Sequence, residues 1–256
     1  MRNIKLTIEY DGTDFNGWQV QEKTQRTVQG EIEKVLERIF KQPLRILGSG
    51  RTDSGVHAIG QVANFKVETD RTLSEIRSAL NANLPKDIAI LKVEEVPIQF
   101  HSQYSAKNKT YRYTILNKEV RSPQRRHNAY FYPHKLNLAL VRKEAKALTG
   151  KKDFKSFTTS ESARLRSGKS RGTIRTVRKL LIKKSGDIIL IDIEADGFLY
   201  KMVRNIVGTL LEIGSGRLPS GSMRKIIRKQ DRNAGGKTAP AWGLCLLKVD
   251  YGKEHK

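Results

Sequence analysis

The same succession of strand and helix periodicities runs through this chain twice. Residues 3–9 alternate apolar and polar side chains, the period of a strand. Val28, Ile32, Val35, Leu36, Ile39 and Phe40 then form one helical stripe behind Thr27, a suitable N-cap. Short strand patterns follow near 44–48 and over 61–68. Thr72 and Glu75 make a capping box in front of Leu73, Ile76 and Leu80; Pro85 stops that helix, and Ile88–Val96 reads as a strand. The second round begins with a strand at Lys109–Asn117 and a helix over Leu136–Leu148 closed by Gly150. A hairpin of Val177–Lys183 and Ile188–Glu194 turns at Ser185-Gly186, a helix spans Phe198–Ile213, and Leu244–Val249 closes the set. The pattern predicts an α+β protein of two ferredoxin-like, RRM-like β-α-β-β-α-β halves, each with helices on one face of an antiparallel sheet. The join falls near 98–108, dividing the chain into 1–104 and 105–256. Edge-to-edge pairing of two strands would fuse the halves into one mainly antiparallel sheet with a central cleft. RNA-recognition modules share this topology, but topology alone does not specify function.

Charge narrows the partners. Among 256 residues, 49 Lys and Arg face 26 Asp and Glu, a formal charge of +23. A surplus of that size destabilises a compact chain by self-repulsion unless an acidic partner matches it, and a phosphate backbone is the commonest match. Residues 164–184 carry nine basic side chains, Arg171 and Arg175 among them, and no acid; Arg121 to Arg126 is a second basic stretch. An anionic membrane would call for one amphipathic basic helix or a basic tail, and no apolar run nears the ~20 residues of a span. The N-terminal residues read as a strand rather than a signal peptide. A lone cysteine, Cys245, excludes an internal disulfide framework and multi-cysteine zinc patterns, which fits a reducing, cytoplasmic setting. The five histidines are scattered, so no metal is expected.

The segment Gly48–Gly60 does not fit a plain hairpin, whose loop usually has ~2–5 residues. It holds Gly48, Gly50, Gly55 and Gly60 around Arg51, Thr52, Asp53, Ser54 and His57, with neither the dinucleotide-fold nor the P-loop glycine spacing. Taken singly, Asp53 reads equally well as a turn residue, and His57 as an ordinary hydrogen-bonded histidine. Tyr111 reads as a strand aromatic. Arg204, with Lys201, Asn205 and Thr209, reads as a solvated helix stripe.

Together these residues resemble a family. Gly50-Arg-Thr-Asp-Ser-Gly-Val-His57 is similar to the GRTDxGVH signature of the tRNA pseudouridine synthase A family. Tyr10-Asp-Gly-Thr-Asp-Phe-Asn-Gly-Trp-Gln19 resembles that family's opening motif, and Lys109-Thr-Tyr-Arg-Tyr113 its central strand. Residues 196–208 resemble its helical motif, and Ala239-Pro-Ala-Trp-Gly-Leu244 its closing one. Two departures are Ser54, where the family usually has Ala, and Lys152-Asp153-Phe154, where it often has His-Asp-Phe.

The resemblance implies a pseudouridine synthase fold and an isomerase that turns uridine into pseudouridine at positions 38, 39 and 40 of the tRNA anticodon stem-loop. It also implies a homodimer cradling tRNA, and no cofactor. It makes Asp53 the nucleophile and Arg204 its ion-pair partner. Tyr111 becomes the ring that stacks on a flipped base, and Arg51 the side chain that enters the vacated space. Arg171 and Arg175 are candidates for the RNA-binding surface. Two rivals remain open from the residues: the same chemistry on other tRNA positions or ribosomal RNA, and a non-catalytic RNA-binding protein of the same topology. The carboxylate amid glycines weighs against the second, since a pure binder gains nothing from an acid facing phosphates.

Overall fold

The computed structural model describes residues 1–21, 25–159 and 172–252. The architecture is mixed α+β with mainly antiparallel pairing. Contacts divide the chain into Met1–Lys107 with Cys245–Lys256, and Asn108–Leu244. The boundary in the contacts thus follows Lys107, and the closing strand sorts with the first unit although it ends the chain.

In the first unit β1 (Arg2–Tyr10) lies between β3 (His57–Val67) and β4 (Ile88–Val96), antiparallel to both. The short β2 (Leu47–Gly48) pairs with β3 at Asn64 and Ala63. Helices α1 (Val28–Phe40) and α2 (Leu73–Asn83) bury the residues their sequence stripes select: Ile32, Val35 and Leu36 on one, Ile76 and Leu80 on the other. Thr27 Oγ1 accepts from Gly30 N, and Thr72 with Glu75 makes the reciprocal capping box. Ile4, Leu6 and Ile8 of β1 are wholly buried. The alternate residues Asn3 and Lys5 are buried too, because the turn after β4 covers them. Asn3 Nδ2 donates to Phe100 O at 3.0 Å, and Lys5 pairs with Glu94 at 3.0 Å beside the Phe100 and Tyr251 rings.

Two features of this unit differ from the sequence pattern. The third strand begins at His57, so the connecting loop is only Ser49–Val56. The reason is non-local: β10 (Leu244–Asp250) runs parallel to β3, with Cys245 opposite His57 and Leu246 opposite Ala58. The closing strand of the second round thus pairs with β3 of the first unit.

In the second unit the sheet order is β5 (Asn108–Leu116), β9 (Ile188–Ala195), β8 (Ile174–Ser185) and β7 (Gly150–Asp153), with β6 (Tyr130–Phe131) parallel to β5. Alternation along β9 buries Ile189, Ile191, Ile193 and Ala195. The helix expected over 136–148 is α3 (Leu138–Ala145) followed by a 3₁₀ turn, and Gly150, at φ 95°, opens β7 rather than capping a helix. Helix α4 spans Met202–Gly214 and starts later than its pattern, because Lys201 takes a left-handed φ of 57°. A further helix, α5 (Ser222–Lys229), has no counterpart in the sequence reading. Only Ser222, Met223 and Ile226 are buried in it, while the buried Glu144 on α3 accepts from Gly221 N at 2.7 Å and Met223 N at 3.0 Å. An acid set against the N–H groups that a helix start leaves unpaired anchors α5 where its own apolar face is too narrow to do so.

Candidate active site

The loop Ser49–Val56 is held from beneath by the opening segment. Ser49 N donates to Val62 O at 2.7 Å, and Ser49 Oγ to Gln61 Oε1 at 2.7 Å; Gln61 Nε2 returns a bond to Gly50 O at 3.0 Å. Trp18 N donates to Thr52 O at 3.1 Å, and Tyr10 and Thr52 hydroxyls meet at 2.8 Å. Burial pushes the Tyr10 phenol well above its ordinary pKa, so it stays a neutral hydrogen-bonding group. Past Asp53 the loop returns, with Gly55 N on Phe15 O at 3.3 Å and Val56 N on Asp53 O at 3.2 Å. The opening segment is itself fixed to α1, Gly17 O and Trp18 O accepting from Val28 N and Gln29 N.

The two motifs are thus one structure. A Cβ at Gly17 would stand 2.6 Å from Thr52 O, and one at Gly12 would stand 2.1 Å from Val56 O. Glycines at these places let two backbones lie in contact. His57 Nδ1 accepts from Gly12 N at 3.0 Å, so this histidine ties the segments together. Burial alternates through the loop: Arg51 exposed, Thr52 buried, Asp53 half-buried. Ser54, the departure from the family motif, sends Oγ to Phe15 O at 3.1 Å.

Tyr111 and Arg204 lie in the second unit. Tyr111, on β5, is 8% exposed and meets Phe198 edge-on, with ring centres 5.0 Å apart. Tyr113 shares its face by alternation but is wholly buried, and its hydroxyl donates to Pro240 O at 2.8 Å. It is a strut between β5 and the segment at Pro240. Arg204 stands in the first turn of α4, its Nε donating to Ala239 O at 2.8 Å while Ala239 N donates to Arg204 O at 3.1 Å.

The solvated-stripe reading of α4 does not hold. Asn205 and Thr209 are fully buried. A returning segment covers them: Asn205 Oδ1 accepts from Arg232 and Thr238, and Thr209 Oγ1 accepts from Gly236 N at 3.0 Å. A Cβ at Gly208 would fall 1.7 Å from Lys237 O, so the segment lies directly on the helix backbone. The signal for this was present: two uncharged polar residues four apart, flanking a glycine, on a helix otherwise apolar but for Arg204 and Glu212.

Among the basic candidates, Arg175 sits on β8 with Nη1 bonded to Gly172 O at 3.0 Å and Ile174 O at 2.6 Å. Arg171 lies outside the described residues. Arg121, Arg125 and Arg126 are exposed around a short 3₁₀ turn. No helix among the described residues is long and apolar enough to cross a membrane.

Compared with known proteins, residues 6–105 and 145–252 match a family model described as tRNA pseudouridine synthase. A tRNA pseudouridine synthase A of Thermoanaerobacter sp. (strain X514) is 42% identical over 251 residues, covering 98% of this chain and 100% of that protein. One of Clostridium acetobutylicum is 43% identical over 251 residues, with the same coverage of both chains.

Proposed function

Because this chain belongs to the tRNA pseudouridine synthase family and is an isomerase of uridine in tRNA, we propose that it acts at positions 38, 39 and 40 of the anticodon stem-loop, with Asp53 as nucleophile. The reaction breaks the N1–C1′ bond and joins C5 to C1′; C5 gives up its hydrogen and N1 gains one, so no oxidant, reductant or nucleotide cofactor is consumed. Cleavage at an anomeric carbon builds positive charge that a carboxylate can stabilise or trap. Attack on C1′, attack on C6 and proton abstraction at C2′ all start from that same group. The observation that carries this reading is the bracing of the Asp53 main chain: Thr52 is anchored on one side, by Trp18 N and the Tyr10 hydroxyl, and Gly55 on the other, by Phe15 O. A carboxylate on so fixed a loop can be held to one geometry while a flexible substrate is brought to it.

Arg204 is the cation that keeps this carboxylate ionised as it is desolvated. Tyr111 stacks on the extruded uracil, a contact worth ~1–3 kcal/mol per base. Arg51 fills the space the base leaves and offsets part of the few kcal/mol that extrusion costs. The enzyme works in the cytoplasm as a homodimer, and phosphate contacts orient tRNA without reading its sequence, as three neighbouring targets require. Chemical mapping of pseudouridine in cells lacking this protein tests the reading. Loss at 38–40 of tRNA, restored by the wild-type chain, is expected; loss confined to ribosomal RNA or to other tRNA positions would move the target.

Arg175 belongs to the RNA-holding surface. Arg175→Ala weakens binding of every tRNA substrate alike and flattens the dependence of affinity on salt. An unchanged salt slope would leave it as a brace for the Gly172 and Ile174 carbonyls.

A further inference from the structure

Arg232 is a cation that the fold half-buries and does not neutralise. It opens the 3₁₀ turn Arg232–Ala234, which follows α5. Its Nη2 donates to Asn205 Oδ1 and Thr238 Oγ1, both at 3.1 Å. Both acceptors are uncharged, and among the described residues no carboxylate forms an ion pair with Arg232. The neighbouring Asp231 turns its carboxylate to Asn233 N at 3.0 Å instead. Burial holds the guanidinium below its ordinary pKa, and no nearby anion opposes that effect. Arginine keeps its charge in such a place, so the fold carries the desolvation cost uncompensated.

The guanidinium also keeps an open edge. Nη2 is used twice, whereas Nε and Nη1 have no protein acceptor among the described residues. A Cβ at Gly235 would lie 3.2 Å from Nη1 and 3.4 Å from Thr209 Oγ1, so a glycine here keeps a side chain from crowding Nη1. The surroundings are basic: residues 224–237 hold six Lys and Arg against one acid, Asp231. Arg224, Lys225, Arg228, Lys229 and Lys237 are exposed.

We propose that Arg232 holds a phosphodiester of bound tRNA through its Nε and Nη1 edge, with the basic face of α5 drawing the backbone toward it. This rests on the tRNA reading above. Two parallel N–H donors match a phosphate in plane and spacing, and the anion supplies the charge that the protein leaves out.

The full-length protein is titrated with an unmodified tRNA transcript across a potassium chloride series. Arg232→Gln keeps a side-chain amide for Asn205 and Thr238 and removes the charge. Its dissociation constant is expected to rise about three- to tenfold, and the log–log salt slope to shrink by about 1. Arg232→Lys is expected to retain the wild-type slope. A wild-type slope in a folded Arg232→Gln protein would make the residue a strut and overturn the proposal. Should that variant not fold, the wild-type protein carries the test through modification by an arginine-specific dicarbonyl, read by mass spectrometry. Shielding of Arg232 by tRNA is expected, and equal modification with and without tRNA would overturn the contact. A wild-type protein that neither binds tRNA nor forms pseudouridine would instead refute the functional reading itself.

Discussion

Asp53→Asn protein is expected to bind tRNA within about threefold of wild type while pseudouridine formation falls by about 10⁴-fold or more, the scale of removing a nucleophile. The separation of the two effects follows from what the side chain does and does not hold up. The loop is fixed by backbone and neighbouring groups: Thr52 O on Trp18 N, Thr52 Oγ1 on Tyr10, Gly55 N on Phe15 O and Val56 N on Asp53 O. None of these uses the Asp53 carboxylate, so an amide of the same shape leaves the scaffold in place. Phosphate contacts elsewhere supply most of the affinity for RNA, so binding survives. The chemistry does not, because an amide neither balances charge at C1′ nor forms the bond. Release of tritium from tRNA labelled at uridine C5 reads the reaction directly, since C5 must exchange its hydrogen for C1′. Asp53→Ala accompanies it, so that slow deamidation of the asparagine cannot be mistaken for catalysis. Product at near wild-type rates in both variants would place the nucleophile on another residue.

The parts of the fold legible in the sequence are those whose apolar period runs undisturbed and whose caps are local. Ile88–Val96 is a strand with the limits its alternation sets, and Thr72 with Glu75 closes the box that opens α2. What was hidden depends on chain far away in sequence. His57 to Gly60 belongs to β3 because Cys245 and Leu246 pair alongside it, and no window around residue 57 contains that information. Asn205 and Thr209 looked solvated because periodicity measures polarity, not what comes to lie on top; the segment 232–239 satisfies them instead. Helix α5 shows no readable period in the sequence, because eight residues with four basic side chains carry too narrow an apolar stripe.

The candidate site was legible in a different way. Asp53 as a single loop aspartate has an equally good life as a turn former, and only the surrounding motif distinguished it. The structure adds the physical reason for the company it keeps. Gly12 and Gly17 of the opening motif are where that segment touches Val56 and Thr52 of the loop, so two motifs separated in sequence form a single packed unit. Arg232 lay outside every motif. Its interest rests on burial without a counter-charge, a property that a sequence does not display.

Arg204→Met is expected to lower turnover by about 10²- to 10³-fold, the usual scale for removing one preorganised charged group from a reacting centre, with tRNA affinity changed by less than about threefold. The argument begins with how the side chain is held. Its Nε bond to Ala239 O fixes the guanidinium plane, and the return bond from Ala239 N to Arg204 O locks the two segments together. That clamp exists because Gly208, on the same helix, lets the Lys237 carbonyl lie against the α4 backbone with no room for a methyl group. Methionine approximates the length of the stem and keeps its packing, so the loss reports the charge and its direction rather than a cavity. Lysine is expected not to restore turnover, because an ammonium has no Nε edge to rest on Ala239 O and cannot reproduce the guanidinium plane. Single-turnover rates with enzyme in excess separate the reacting step from binding and product release. Turnover near wild type in Arg204→Met would remove the ion-pair role, and a collapse of tRNA affinity with an intact single-turnover rate would reassign Arg204 to holding RNA.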